Sequence, residues 1–172
     1  VYIQDDTGYG VQVYSPEAWN GQDLQRGDRI SVLGTTDEED GMTRLEDIQV
    51  QLLSTGNPLP TATIYTAGEL MGMQSMEGKY VELTATRGPE TSDDFGIWMP
   101  MDDGTGRVLL RLFEDSDFTM DGTQAGEEIT VRGIIWTLGG GVQIVPGGQE
   151  DININTSVED QQSALIPRST EI

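Results

Sequence analysis

The sequence predicts an all-β protein built from two copies of one unit, and three observations predict it. The first is an internal repeat. Gly126-Glu127-Glu128-Ile129-Thr130-Val131-Arg132-Gly133 is echoed by Gly27-Asp28-Arg29-Ile30-Ser31-Val32-Leu33-Gly34. Both read Gly-x-x-Ile-Ser/Thr-Val-x-Gly, and a repeat at this spacing sets the architecture. The second is the alternation of apolar and polar residues in short runs, the period of a half-buried strand. The third is the 22 glycines, enough to supply many tight turns.

The first unit begins with a short strand, Val1-Tyr2-Ile3-Gln4. Asp5-Asp6-Thr7-Gly8 turns the chain, and Gly10-Val11-Gln12-Val13-Tyr14 returns as a hairpin arm. Ser15-Pro16-Glu17 has the order of a helix start, with Ser15 as cap and Pro16 at the first helical position. A strand follows at Ile30–Leu33. Thr35 to Gly41 is expected to be an acidic loop, and Met42 to Leu53 the answering strand, with a bulge between Leu45 and Ile48 where the alternation breaks. Asn57-Pro58-Leu59-Pro60 is the clearest boundary, since prolines after Gly56 make a stiff connector.

The second unit opens with a long strand, Lys79 to Thr86, after a helical turn at Thr66–Leu70. Strands are expected at Phe95–Met99, Val108–Phe113, Ile129–Trp136 and Val142–Val145. Asp102–Gly106 and Gly139–Gly141 are the turns between them. Asp115 to Gln124 forms an irregular connector suited to a short helix, and Asp151–Asn155 is one more alternating segment. This is the element order of an OB-fold, a five-stranded Greek-key barrel. The expected fold is therefore two tandem OB-fold-like barrels: residues 1–56, a linker at 57–76, residues 77–156, and an extended tail at 157–172.

The first unit has no counterpart of Lys79–Thr91, so its barrel lacks the opening strand. A barrel without that strand has two open edges, which invite pairing with another segment. The gap is tolerated, or filled by this chain folding back, or filled by a neighbouring molecule through β-strand addition. Val1, Tyr2 and Ile3 lie beside the gap. Asp151–Asn155 and Ser163-Ala164-Leu165-Ile166 are candidate donors, with Pro167 ending the latter. The competing reading makes the tail a simple leash.

Val1–Gly8, Gly10–Tyr14 and Leu24–Gly34 resemble the OB modules of secreted bacterial proteins of the Bacteroidetes and their relatives. In those proteins such modules stand beside extracellular nuclease domains. The stretch from Pro58-Leu59-Pro60 through Glu69-Leu70 to Glu77-Gly78-Lys79-Tyr80-Val81 is similar to the spacer between two modules. The likeness covers most of residues 1–156. It implies a fold and no activity, since no nuclease domain is present. The tail from Ser157 to Ile172 resembles the linker ahead of a type IX secretion sorting domain. The start at Val1 fits a processed or trimmed product.

Composition narrows the function classes. There is no Cys and no His, which removes thiolate chemistry, the commonest general base and the commonest metal ligand. Net charge is −21, and Lys79 is the single lysine. That charge repels phosphate backbones, making nucleic acid a poor partner. It also disfavours anionic membranes, and no apolar run is long enough to span a bilayer. Asp5/Asp6, Asp93/Asp94 and Asp102/Asp103 are acid pairs in Gly-rich turns, where Asp serves as a turn former rather than one of two facing glycosidase acids. Asp115, Asp117 and Asp121 space carboxylates as a calcium loop would, without matching the EF-hand pattern. No other cofactor is expected. Tyr2, Tyr9, Tyr14, Trp98 and Trp136 lie on strands where OB-folds stack bases or sugars, and a neutral glycan is compatible with the charge.

The sequence is thus expected to encode a non-catalytic structural protein, extracellular or on the cell surface. It would be a self-associating filament subunit, a homo-oligomer or polymer held by strand addition at Val1, Tyr2, Ile3, Ala164, Leu165 and Ile166. The alternative is an accessory glycan- or nucleic-acid-binding module of a larger secreted hydrolase or nuclease.

Overall fold

Alternating apolar residues form a strand where one of its faces can be buried. Among the residues described in the computed structural model (2–5, 7–13, 23–39, 42–114, 116 and 118–154), such runs form two sheets. The N-terminal sheet contains β1 (Tyr2–Gln4), β2 (Gly10–Val13), β3 (Arg29–Glu39) and β4 (Met42–Ser54), in the order β1-β2-β4-β3. β1 and β2 are antiparallel, β2 and β4 parallel, β3 and β4 antiparallel. Val1 and Tyr14–Gly21 lie outside the described residues, and with them the expected helix start at Ser15.

The acidic stretch expected as a loop is instead mostly strand, since β3 runs on to Glu39 and β4 begins at Met42. Cross-strand charge explains the extension. Arg44 sits opposite Asp37 and pairs with Asp37 at 3.3 Å and Glu46 at 2.5 Å, which makes an acidic strand end tolerable. The expected bulge is present. The register shifts opposite Leu33–Thr35, and Asp47 takes φ 48° there.

The second sheet is built from β5 (Thr63–Ile64), β6 (Tyr80–Arg87), β7 (Thr91–Asp93), β8 (Gly96–Asp102), β9 (Arg107–Phe113), β10 (Glu128–Leu138), β11 (Gly141–Val145) and β12 (Ile152–Ile154). Its neighbours run β6-β8-β9-β11-β10, and β10 pairs back with β6, closing a five-stranded barrel. All pairs in that circuit are antiparallel except β9–β11. This order and closure are those of an OB-fold. Closure is legible in β6, whose Val81, Leu83 and Ala85 point inward and are buried. Met99, Met101, Leu110, Ile129, Val131, Ile135 and Ile144 meet them in the core.

Residues 63–71 of the expected linker are packed on this barrel. β5 pairs with β6, and a helix α1 (Ala67–Met71) buries Ala67 and Leu70 in the core. Thr66 and Glu69 cap that helix reciprocally, satisfying backbone donors at its start. The connector from 115 to 124 shows no helix among its described residues.

The two sheets touch through β1, β2 and the turn at Arg26. Gly10 and Gly78 lie backbone to backbone, so close that a Cβ on Gly10 would stand 2.2 Å from the Gly78 carbonyl oxygen. Arg26 donates to Asp151 Oδ1 (2.8 Å), Glu150 Oε1 (2.5 Å) and the Tyr80 hydroxyl (2.9 Å).

Candidate functional site: the open four-stranded sheet

The internal repeat fixes how the two sheets correspond. Ile30, Val32 and Gly34 on β3 stand where Ile129, Val131 and Gly133 stand on β10. Val32 faces Val50 across β3–β4 as Val131 faces Ile152 across β10–β12, and Ile30 faces Leu52 as Ile129 faces Ile154. Val13 meets Leu45 in a parallel pair as Leu110 meets Ile144. β1, β2, β3 and β4 thus match β8, β9, β10 and the β11–β12 pair in order and direction. Of the five strands that close the barrel, β6 has no match among the described residues.

Among the described residues the N-terminal sheet does not close on itself as the second one does. Ile3, Val11, Val13, Ile30, Val32, Leu45, Ile48, Val50 and Leu52 share one face of the sheet by register. Of these only Val13 is buried, while Leu52 is 44% exposed. The other seven are half-buried. In the barrel the matching residues Val131, Ile129 and Leu110 are fully covered. The edges β1 and β3 pair only with β2 and β4 among the described residues.

Electrostatics differ between the filled and open slots. Where β6 meets β10, Arg132 Nε donates to Glu82 Oε2 at 2.6 Å on the outer face. Leu33 occupies the Arg132 position on β3 and is 70% exposed. Asp37 and Glu38 follow toward the strand end, both exposed.

Of the sequence-predicted assembly residues, Tyr2 and Ile3 lie on edge strand β1, paired with Gln12 and Val11. Val1, Ala164, Leu165 and Ile166 lie outside the described residues. Tyr2 turns its ring toward the barrel. Its hydroxyl and Glu77 Oε1 are both buried and face each other without a well-formed hydrogen bond. Burial first, then the Glu77 charge, pushes the Tyr2 phenol well above its usual range, and burial also raises the Glu77 carboxyl.

Of the predicted calcium residues, Asp115 and Asp117 lie outside the described residues. Asp121 is exposed, and its backbone N–H donates to Thr119 Oγ1 at 3.0 Å. Among the described residues no group of three or more acidic side chains is arranged to hold a metal. Asp5, Asp102 and Asp103 serve turns, accepting from Thr7, Gly104 and Thr105, and Asp103 also reaches the Ala67 N–H at the start of α1.

The aromatic residues singled out from sequence are not gathered on one face: Tyr2 is on β1, Tyr9 is exposed ahead of β2, Trp98 is on β8 and Trp136 on β10, and Tyr14 lies outside the described residues. Trp98 is the cross-strand partner of Arg111, and Phe113 meets Trp136 edge-on at 5.3 Å. Arg111 is 3% exposed and fully engaged, with Nη1 on both Asp93 oxygens (2.8 and 2.9 Å) and Nε on Gln143 (3.1 Å). The Arg111 hydrogen bond is also the first reason the Asp93 carboxyl lies below its usual range. Sequence reading missed this pair and the Arg26–Asp151 contact, because partners 18 and 125 residues apart leave no local signal.

No protein-family model matches the chain, and no curated protein matches it. Solved structures with a similar trace include a replication protein A heterotrimer bound to single-stranded DNA (13% identity, TM-score 0.37, 49% of this chain and 63% of that one). Another is the S. pombe Stn1–Ten1 complex (14%, TM-score 0.38, 49% and 64%). A third is the hypothetical protein YgiW from E. coli (16%, TM-score 0.41, 59% and 99%). The chain spans a little under two thirds of the first two. The OB-fold assignment rests on the chain's own strand order and closure.

Proposed function

We propose that this chain is a non-catalytic structural protein, extracellular or at the cell surface, that self-associates by β-strand addition. The open sheet is an OB barrel short of its first strand, and a neighbouring molecule supplies that strand. The observation that carries this reading is the residue-by-residue match of β1–β4 to β8–β12, with no described strand in the place of β6. Added strands gain main-chain hydrogen bonds along the edge and side-chain burial at alternate positions. The close backbone contact at Gly10 and Gly78 and the Arg26–Asp151 contact hold the acceptor against the finished barrel, which supports a rigid subunit.

Electron microscopy with light scattering of the full chain, over a range of concentrations and salt, tests this. Regular polymers or discrete oligomers are expected. A monodisperse monomer under all conditions would sink the proposal and turn attention to the face of β8–β9 around Trp98 as a glycan site.

A further inference from the structure

We infer that the occupant of the slot is β3 of a second copy, antiparallel to the first about a two-fold axis at Leu33, so that Leu33 faces Leu33 and Arg29 faces Asp37 at each end. The inference rests on the strand-addition reading above and names its partner and register.

The filled slot of the barrel supplies the template. β6 runs antiparallel along β10. The Ile135 N–H donates to the Lys79 carbonyl (2.9 Å), the Ile135 carbonyl accepts from the Gly78 N–H (2.8 Å), and the Glu127 carbonyl accepts from the Arg87 N–H (2.9 Å). Odd-numbered residues of β10 thus turn their backbone groups to β6. By the repeat, Ile30, Val32, Gly34 and Thr36 turn theirs away from β4. Leu33 matches Arg132, on the face opposite Ile30 and Val32. At 70% exposed it is the barest large apolar residue among those described in the N-terminal sheet. Arg29 and Asp37 flank it on the same outer face, and both are exposed. Arg29 enters no ion pair among the described residues. Asp37 shares Arg44 with Glu46, which holds the shorter contact.

A strand edge that pairs with its own copy across a two-fold axis is self-complementary. The axis must pass through a residue, because only then do the backbone groups turned away from β4 meet and the two apolar faces lie on one side. Two conditions choose that residue. Arg29 meets a carboxylate, and no carboxylate meets an apolar residue of the inward face. An axis at Gly34 brings Glu39 to Arg29 but sets Glu38 on Ile30. One at Thr35 sets Glu38 on Val32 and Asp37 on Leu33. An axis at Val32 sets Arg29 on Thr35, and one at Ser31 sets it on Leu33. Only the axis at Leu33 meets both conditions. Arg29 then faces Asp37, Ile30 faces Thr36, Ser31 faces Thr35 and Val32 faces Gly34. One step further out, Glu38 falls beside Asp28, which precedes the strand and holds its carboxylate on the Gln25 N–H at 2.8 Å. The pairing closes as a dimer and joins two four-stranded sheets edge to edge.

The chain has no cysteine, so single thiols report the register. Leu33 with its own copy, and Ser31 with Thr35, fall at the closely spaced positions of this ladder, which suit a disulfide. Full-length single-cysteine chains are oxidised at a concentration where scattering shows assembly. Leu33→Cys should give a covalent dimer. Differently tagged Ser31→Cys and Thr35→Cys chains, which keep Leu33, should give a mixed-tag dimer about tenfold more abundant than either same-tag dimer. Arg29→Asp and Asp37→Arg should each weaken the dimer roughly tenfold in analytical ultracentrifugation, and the double variant should recover it. Preferred cross-linking of Leu33→Cys with Ser31→Cys or with Thr35→Cys, or a double variant no tighter than the singles, overturns the register and leaves strand addition standing. Assembly without a cross-link at any of these positions hands the slot to another segment and overturns the inference alone. Chains that stay monomeric at every concentration overturn both.

Discussion

Replacing Asp151 tests the joint between the open sheet and the barrel. Asp151 is 3% exposed. It accepts from Arg26 Nη2 at 2.8 Å, the Tyr80 hydroxyl at 2.7 Å and the Gly147 N–H at 2.9 Å. Asp151→Ala removes the acceptor and leaves the Tyr80 hydroxyl and the Gly147 N–H without one, while Arg26 keeps Glu150 and the Tyr80 oxygen, which places the loss at the low end for a buried pair. Breaking a buried pair from one side costs about 3–5 kcal/mol. Arg26→Ala is milder, because the Arg26 side chain is 27% exposed and Asp151 keeps Tyr80 and Gly147. A single lost charge-assisted hydrogen bond costs about 1.5–3 kcal/mol, and exposure places Arg26 at the low end. The double variant should cost little more than Asp151→Ala alone, a coupling that a mutant cycle reads directly. Urea unfolding followed by tryptophan emission measures each value. A cost below about 1 kcal/mol for Asp151→Ala, or strict additivity in the cycle, would refute the reasoning.

Four further outcomes follow from the same geometry. Ile129→Ala should cost about 2–5 kcal/mol in urea unfolding, because Ile129 is fully buried, while Ile30→Ala at the matching half-buried position should cost far less in unassembled chain. Arg111→Ala should lower the melting temperature by opening space where a buried side chain packed and leaving Gln143 without its donor, whereas Arg111→Met, which fills the same space without charge, should lower it much less. Gly10→Ala should loosen the sheet from the barrel, seen as faster proteolysis of the N-terminal sheet, since its new Cβ collides with the Gly78 backbone. Burial, then the bond to Asp151, raises the Tyr80 phenol to about 12. A raised folded value means this stabilisation is intact below the ordinary tyrosine range near pH 10. It should drain away as the pH climbs toward 12, and Tyr80→Phe should flatten that part of a stability–pH curve.

Much of the fold was legible in sequence because strand alternation and glycine turns are local signals. The repeat at Gly27 and Gly126 located the two β10-like strands, and the break at Leu45–Ile48 located the bulge. β5, β7 and the continuation of β3 through Thr35–Glu39 were not legible. Their residues are short or acidic, and only cross-strand partners such as Arg44 and Trp98 hold them in register. The spacer at 57–76 read as a connector because its prolines are local, while the burial of Ala67 and Leu70 depends on a barrel assembled from later residues. At the candidate site, counting elements along the chain finds no counterpart of β6 in the first unit, and none is found among the described residues. The exposure of Leu33 and the acidity beside it became meaningful only against the Arg132–Glu82 pair in the closed barrel.

Amide hydrogen exchange on β3 tests the central claim most directly. In dilute chain, those amides of Ile30–Thr36 that point away from β4 should exchange fast, while the matching amides of Ile129–Ile135, tied to β6, are protected. Raising the concentration into the assembled range should protect the β3 amides selectively. Protection of β3 already equal to that of β10 in dilute monomer would contradict the account, because it would mean that the slot is filled without a neighbour.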